Sequence, residues 1–322
     1  MHKKILIDWY SSTRNLERFV CSDDLSPENV LQSLNDFLGA SLPWQSVAPR
    51  NGYQVAYSCS RQITAMWQRK EGDLFLDFTG EGCRLIETLS PDFNWFGFIA
   101  AASQHSGYHC SRLDVACDTF GELSMRSIIR YSLDGRYISR WRLPPRIVQG
   151  REETVDFGSP QSRTMLRIYN KTLERQCRVA TDIKVPEKWV RVELQMRNEA
   201  CESFHREWMA CGDLGRVYFG IVGNQLRFVK ERFQGHSERS MAVQWWSHFL
   251  EGHESLALAY AGGLDYNFDS LRRYTLGQAG SSIHTYLMAT DWDIDQLIQQ
   301  VKHRQINARQ RALLVQIGVD VI

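Results

Sequence analysis

The chain has 322 residues, 43% of them apolar and 23% charged, with a formal net charge of +1. These values exclude a disordered segment, a strongly charged tail and a small disulfide-stapled scaffold, and the length suggests two domains. No apolar run approaches the roughly 18 residues of a membrane span and the opening residues are too briefly apolar for a secretion signal, so a cytoplasmic protein without a membrane partner is expected.

Residues 5–10 read as an opening strand. Ser26 then stands as N-cap and Pro27 as the first helical residue of a segment whose Val30, Leu31, Leu34, Phe37 and Leu38 fall at helical spacing before Gly39. Residues 53–58 and 62–68 alternate like the strands of a hairpin, and 73–79 form another strand that ends in Gly80-Glu-Gly82. The apolar stretch 92–103 predicts a packed helix leading to a strand over 111–118. A helix around 124–132 follows, and a Gly/Pro/Arg-rich connection leads to strands over 154–158, 163–169 and 188–196. From Phe228 onward the pattern is helical, chiefly over 239–250 and 291–314. The order predicts an α+β fold: a mainly antiparallel sheet with helices packed on one face, plus a helical C-terminal region. The boundary is placed near 225, dividing 1–225 from 226–322.

Charge is unevenly spread. Residues 131–197 hold 14 Lys/Arg against 8 Asp/Glu, while 1–130 hold 12 against 15, so a polyanion would be met in the middle of the chain. The eight cysteines include no C-x-x-C pair, which indicates neither a zinc ribbon nor a disulfide framework.

Alternation is most informative in three strands, because side chains two apart share a face. Leu113, Val115 and Cys117 face one way, and Arg112, Asp114, Ala116 and Asp118 the other. Leu166 and Ile168 point inward while Arg167, Tyr169 and Lys171 point out. Val190, Val192, Leu194 and Met196 oppose Arg191, Glu193, Gln195 and Arg197. With the apolar faces on helices, the open face gathers carboxylates, a phenol and guanidinium groups. A phenol becomes a nucleophile near neutral pH when a cation, a metal or a base assists it. Carboxylates of Asp114, Asp118 and Glu193 suit Mg²⁺ or Mn²⁺, and Arg167, Lys171 and Arg191 suit charge developing on a phosphoryl group. The bland reading of the same face is a set of cross-strand ion pairs. Asp114 and Asp118, four residues apart, would stand roughly 13 Å apart on a straight strand, so one ion cannot take both without a bend or bulge.

Four separated motifs appear in order: Ser111-Arg-Leu-Asp-Val-Ala-Cys-Asp118, Phe157-Gly-Ser-Pro-Gln-Ser162, Arg167-Ile-Tyr-Asn-Lys-Thr-Leu-Glu174 and Trp189-Val-Arg-Val-Glu-Leu194. With Ile7-Asp8-Trp9, Gly52-Tyr53 and Phe78-Thr-Gly-Glu-Gly-Cys83-Arg84, the chain over about 5–200 resembles the rolling-circle replication initiation factors, which include plasmid Rep proteins, filamentous-phage replication proteins and conjugative-element relaxases. The resemblance implies that Tyr169 is the nicking nucleophile, that Asp114, Asp118 and Glu193 contribute to a metal site, and that Glu174 assists as a base. Pro160 departs from the family pattern, which more often has a basic or small residue there.

No His-x-His triplet occurs, so any metal must lean on carboxylates, and no G-x-x-x-x-G-K-[ST] loop occurs, so a host helicase is implied. Arg112 and Arg191 on the open face, with Arg136, Arg140 and Arg142 interleaved with Tyr131, Tyr137 and Trp141 (Arg146 and Arg151 extend the run), are candidate DNA contacts, a solvated loop being the alternative for the run. His109 reads as a structural or surface residue, and Trp245 and Trp246 as core plus rim. In the C-terminal region Lys302, Arg304, Arg309 and Arg311 mark one basic helical end, with origin recognition, a homodimer contact or simple capping as its roles. The expected function is nicking and rejoining of single-stranded or hairpin origin DNA through a 5′-phosphotyrosine link. A conjugative relaxase with the same chemistry and a non-catalytic origin-binding regulator are the alternatives.

Overall fold

A computed structural model describes residues 3–69, 72–178, 185–233, 239–251 and 279–304, with isolated positions at 256, 258, 272, 275, 276 and 314. The chain divides into two units, Met1–Ser46 with Tyr57–Tyr260, and Val47–Ala56 with Ala261–Ile322. The first unit thus runs past the boundary expected near 225.

That unit is built on one antiparallel sheet of ten strands. Its centre is β1 (Lys4–Asn15), β6 (His109–Phe120), β11 (Trp189–Arg197) and β10 (Thr164–Asn170). β5 (Asp73–Phe78), β4 (Ile63–Trp67), β3 (Val55–Cys59) and β2 (Gln45–Ser46) extend it beyond β1; β9 (Thr154–Gly158) and β8 (Arg146–Val148) extend it beyond β10. A separate ribbon pairs β7 (Tyr137–Ser139) with β12 (Leu226–Phe228).

One register row shows where the core lies. Phe157, Leu166, Leu194, Val115 and Ile7 stand side by side across five strands, each at most 1% exposed. Neighbouring rows continue the pattern with Ile168, Val192, Cys117 and Ile5. Burying a side chain of this size contributes about 1.5–3 kcal/mol, so the apolar row fixes the register and forces alternate residues onto the opposite face. Helices α7 (Glu199–Cys211) and α8 (Leu214–Gln225) follow β11. α7 packs on β6 and β11, and the buried Tyr218 hydroxyl of α8 donates to the Val192 carbonyl at 2.7 Å.

Helix α2 (Pro27–Leu38) forms where the periodicity places it and ends at Gly39 in the left-handed region. Ser26 occupies the N-cap position, yet its hydroxyl bonds Asp24 instead of a helix N–H. Helix α4 (Trp95–Ser103) is capped by Asn94, and α5 (Met125–Leu133) by Ser124. Short helix α1 (Leu16–Val20) closes β1, and α6 (Lys171–Arg178) follows β10 directly. After β12 come α9 (Gln244–Phe249) and, in the second unit, α10 (Gly280–Ala289) and α11 (Ile294–Lys302). Trp246 is fully buried with its indole N–H on the Leu226 carbonyl, whereas Trp245 is half-buried against Tyr131. Lys302 and Arg304 are exposed at the end of α11; Arg309 and Arg311 lie outside the described residues.

Helix α3 (Gly80–Leu89), where the sequence indicated only a strand ending, is capped by Thr79 and approaches the sheet too closely for side chains. A Cβ on Gly82 would meet the Gln62 carbonyl oxygen at 2.3 Å. Gly82→Ala is therefore expected to lower unfolding free energy by about 2 kcal/mol or more, because backbone has to move, as measured by chemical denaturation.

Candidate functional site

The polar face of the sheet is ordered by the same register. One row holds Tyr169, Arg191, Asp118 and Lys4; the next holds Asp156, Arg167, Glu193 and Ala116; a third holds Gln195, Asp114 and Trp9. β1 carries a register shift between Ile7 and Trp9, and the extra residue is Asp8. A bulge leaves one extra residue unpaired, so that two successive side chains can share a face. Here Asp8 joins the polar face while Ile7 stays in the core, and it bonds Arg191 Nη1 at 2.8 Å. A Cβ on Gly80 would come within 3.1 Å of the Asp8 carbonyl oxygen and 3.2 Å of its Oδ1, which explains a glycine at the start of α3.

These residues floor an open cleft of about 770 Å³, flanked by Thr79, Glu81 and Arg84 from α3 and its cap and by Lys171, Glu174 and Arg175 from α6. A smaller recess of about 250 Å³ adjoins it, lined by Arg146, Glu152, Glu153, Thr154 and Asn170. Arg167, Tyr169 and Glu174 line both spaces, so Tyr169 stands where they meet.

Arginines hold most of the carboxylates. Arg191 grips Asp118 through two bonds of 2.7 and 2.8 Å while also reaching Asp8. Arg112 forks onto Asp114, with Nη2 2.5 Å from Oδ2, and lies 4.0 Å over the Trp9 ring. Arg167 donates to Asp156 at 2.9 Å. Lys171 sits 3.5 Å from the Tyr169 hydroxyl and 2.5 Å from a Glu174 carboxylate oxygen.

Glu193 has no such clasp among the described hydrogen bonds and ion pairs. Burial, then the negative charges of Asp114 and Asp8, push its carboxyl up to about 8 against the pull of Arg167 and Arg191. Asp114 is raised to about 6 by burial, partly offset by Arg112. Burial and the facing Glu193 push the Tyr169 phenol well above its usual range, with Arg191 opposing. Folded Glu193 therefore holds its proton where the unfolded chain has lost it, so its contribution to stability falls as pH rises from about 4.5 to about 8 and is level above. Glu193→Gln is expected to flatten this part of the stability profile, read as unfolding midpoint against pH.

The structure brings together Tyr169, Arg167, Lys171, Glu174, Asp114, Asp118, Glu193, Arg112 and Arg191 at one cleft. Asp114 and Asp118 lie on either side of Ala116, each with an arginine partner: Arg191 reaches Asp118 across strands, as the ion-pair reading anticipates, whereas Arg112 meets Asp114 along β6 itself. Arg136, Arg140 and Arg142 do not line the cleft: Arg136 pairs with Asp134 and covers Tyr131, and Arg140 bonds the Asn224 carbonyl. The residue that sequence reasoning did not assign is Asp8. Its signal was a carboxylate inside the otherwise apolar run Ile5-Leu-Ile-Asp8-Trp9-Tyr10, where alternation from Ile5 and Ile7 turns Asp8 to the opposite face. His109 is a half-buried surface residue bonded to Glu202 and Asn198.

Comparison with known proteins gives three findings. The family model described as replication initiation factor matches residues 109–301. A Bacillus subtilis (strain 168) protein, named as a candidate DNA relaxase, NicK, is 26% identical over 191 residues, 55% of this chain and 53% of the relative. The chain thus spans about half the length of that curated relative. The solved rolling-circle replication initiator protein of Geobacillus stearothermophilus superposes with a TM-score of 0.64 at 21% identity, over 80% of this chain and 100% of that one, and so shares the fold.

Proposed function

The chain belongs to the replication initiation factor family, and from that premise we propose that it nicks and rejoins a single DNA strand at a replication origin with Tyr169 as nucleophile. The observation that carries this reading is the placement of Tyr169: a phenol between two connected recesses, in one register row with Arg191 and Asp118 and beside Lys171.

In this mechanism the Tyr169 oxygen attacks a phosphodiester of an unpaired strand. The P–O3′ bond breaks, the leaving 3′ oxygen takes a proton, and the 5′ phosphate stays on the tyrosine. The phenol needs help, since burial and Glu193 oppose its ionisation. Lys171 faces the phenolate, Glu174 behind it receives the proton, and Arg167 and Arg191 meet the charge that builds on the phosphoryl oxygens. The link conserves the energy of the broken ester, so a returning 3′ end reverses it without ATP.

Oxygen donors at the cleft fit Mg²⁺ or Mn²⁺. Among the described residues no three acidic, histidine or cysteine side chains converge as a ready ligand shell. The fit rests on the chemistry of the donors: Glu193 is a buried cleft carboxylate with no arginine or lysine clasp among the described hydrogen bonds and ion pairs, and Asp114 lies in the adjacent row of the same face. Glu193 and Asp114 would hold such an ion with water completing its shell, while Asp118 anchors Arg191. A bound ion there supplies positive charge to the phosphate and eases ionisation of the phenol.

The test incubates the protein and Mn²⁺ with single-stranded oligonucleotides from DNA flanking its own gene and looks for a covalent protein–DNA band. A band lost in chelator supports the reading; binding with no band favours a regulatory origin binder, and a band undiminished by chelator overturns the metal assignment. A relaxase acting at a transfer origin uses the same chemistry, and the likeness to a relaxase named in Bacillus subtilis favours testing transfer-origin strands beside replication origins. A hairpin substrate, a host helicase and a homodimer complete the proposed assembly.

A further inference from the structure

The polar face of β6 and β11 ends in two aromatic rings. Phe120, the last residue of β6, is registered opposite Trp189, the first of β11. Their ring centroids are 5.5 Å apart at 35°, and both rings line the cleft that holds Tyr169. Phe120 is 39% exposed, a large apolar ring on a face otherwise made of Asp118, Arg191 and Tyr169. Sheet packing does not require it, because the apolar face of these strands is already filled by Cys117 and Val192. The Trp189 indole N–H is buried and finds no hydrogen-bond partner among the described residues. A phenylalanine would cover the same surface without that cost.

Position gives the pair a meaning. Trp189 is two residues from Arg191 on the same strand face, about 7 Å along β11, and Arg191 is registered opposite Tyr169. One step of an extended nucleic-acid backbone spans that kind of distance, so a strand whose phosphate sits at Tyr169 brings its neighbouring base to the rings. Two apolar rings beside arginine and lysine suit a ligand that is anionic along its backbone and aromatic in its bases. A duplex, with its bases already stacked, has none to give.

We propose that Phe120 and Trp189 form a stacking platform for the unpaired base that flanks the phosphate attacked by Tyr169. The proposal rests on the nicking reading for its position, and concerns how that site selects unpaired over paired DNA. It predicts that one base beside the nick is held by its face, with little regard to which base it is.

The test scans an abasic residue through each position flanking the nick in a fluorescent oligonucleotide. Binding is read by anisotropy, and covalent product separately, for wild type, Trp189→Ala, Phe120→Leu and Trp189→Phe. Wild type is expected to lose about tenfold in affinity when one flanking base is missing. Trp189→Ala and Phe120→Leu should bind the intact strand more weakly but lose little further at that abasic position, and Trp189→Phe should recover most of the dependence. An abasic penalty of the same size in wild type and variants would overturn the platform. Phe120→Leu keeps apolar volume, so it reads the ring even where Trp189→Ala fails to fold. Absence of covalent product with every strand would count against nicking alone, since the platform is judged on binding.

Discussion

Tyr169→Phe is expected to remove the covalent protein–DNA product, lowering its rate of formation by roughly 10³-fold or more, while DNA binding and thermal stability remain close to wild type. The substitution deletes one hydroxyl. Its one described hydrogen bond is a long contact of 3.5 Å from Lys171, so no buried partner is stranded. The ring keeps its place in the register between Thr154 and Arg191. Denaturing gels on covalent product, run beside an anisotropy titration, separate the two effects. Product from both proteins would assign the nucleophile to another tyrosine. Loss of binding or of folding in the variant would make Tyr169 a structural residue.

The second large effect is on stability. Arg191→Ala is expected to lower unfolding free energy by about 3–5 kcal/mol, because it leaves the carboxylates of Asp118 and Asp8 on a buried floor without their cation. Pairing Arg191→Leu with Asp118→Leu should restore the share due to Asp118, since replacing both members of a buried pair by apolar groups is far less costly than removing one. Nicking should stay absent in both variants. Denaturant melts report the first quantity and the oligonucleotide assay the second. A single variant as stable as wild type would mean that the bidentate pair contributes nothing net.

Much of the site could be read from alternation alone. Arg112, Asp114 and Asp118, then Arg167 and Tyr169, then Arg191 and Glu193 were assigned to one face of three strands, and the strands do lie together with that face on the cleft. Alternation is strong here because the opposite faces carry Leu113, Val115, Leu166, Ile168, Val192 and Leu194, all fully buried. What stayed hidden depends on contacts between distant segments. The bulge that sets Trp9 beside Asp8 on the polar face is a property of the β1–β6 pairing. Helix α3 was not foreseen because its glycines read as a turn, whereas they allow the helix to approach Gln62 and Asp8. The arginine run after α5 reads as a backbone track or a solvated loop; Arg136 pairs with Asp134 and covers Tyr131, and Arg140 bonds the Asn224 carbonyl. Spacing in sequence gives a charge no address: Arg136 and Arg140 flank β7 of the small β7–β12 ribbon, and neither lines the cleft.

The bond between Arg191 and Asp8 joins residues 183 positions apart, and the one between Arg191 and Asp118 joins residues 73 apart. During translation β1 and β6 leave the ribosome with their carboxylates long before the arginine that neutralises them, and before the tyrosine beside it. A chain halted anywhere short of β11 therefore lacks the strand that joins β6 to β10, and with it the arginine registered beside Tyr169. The cleft around Tyr169 is thus assembled only once the last central strand has been made.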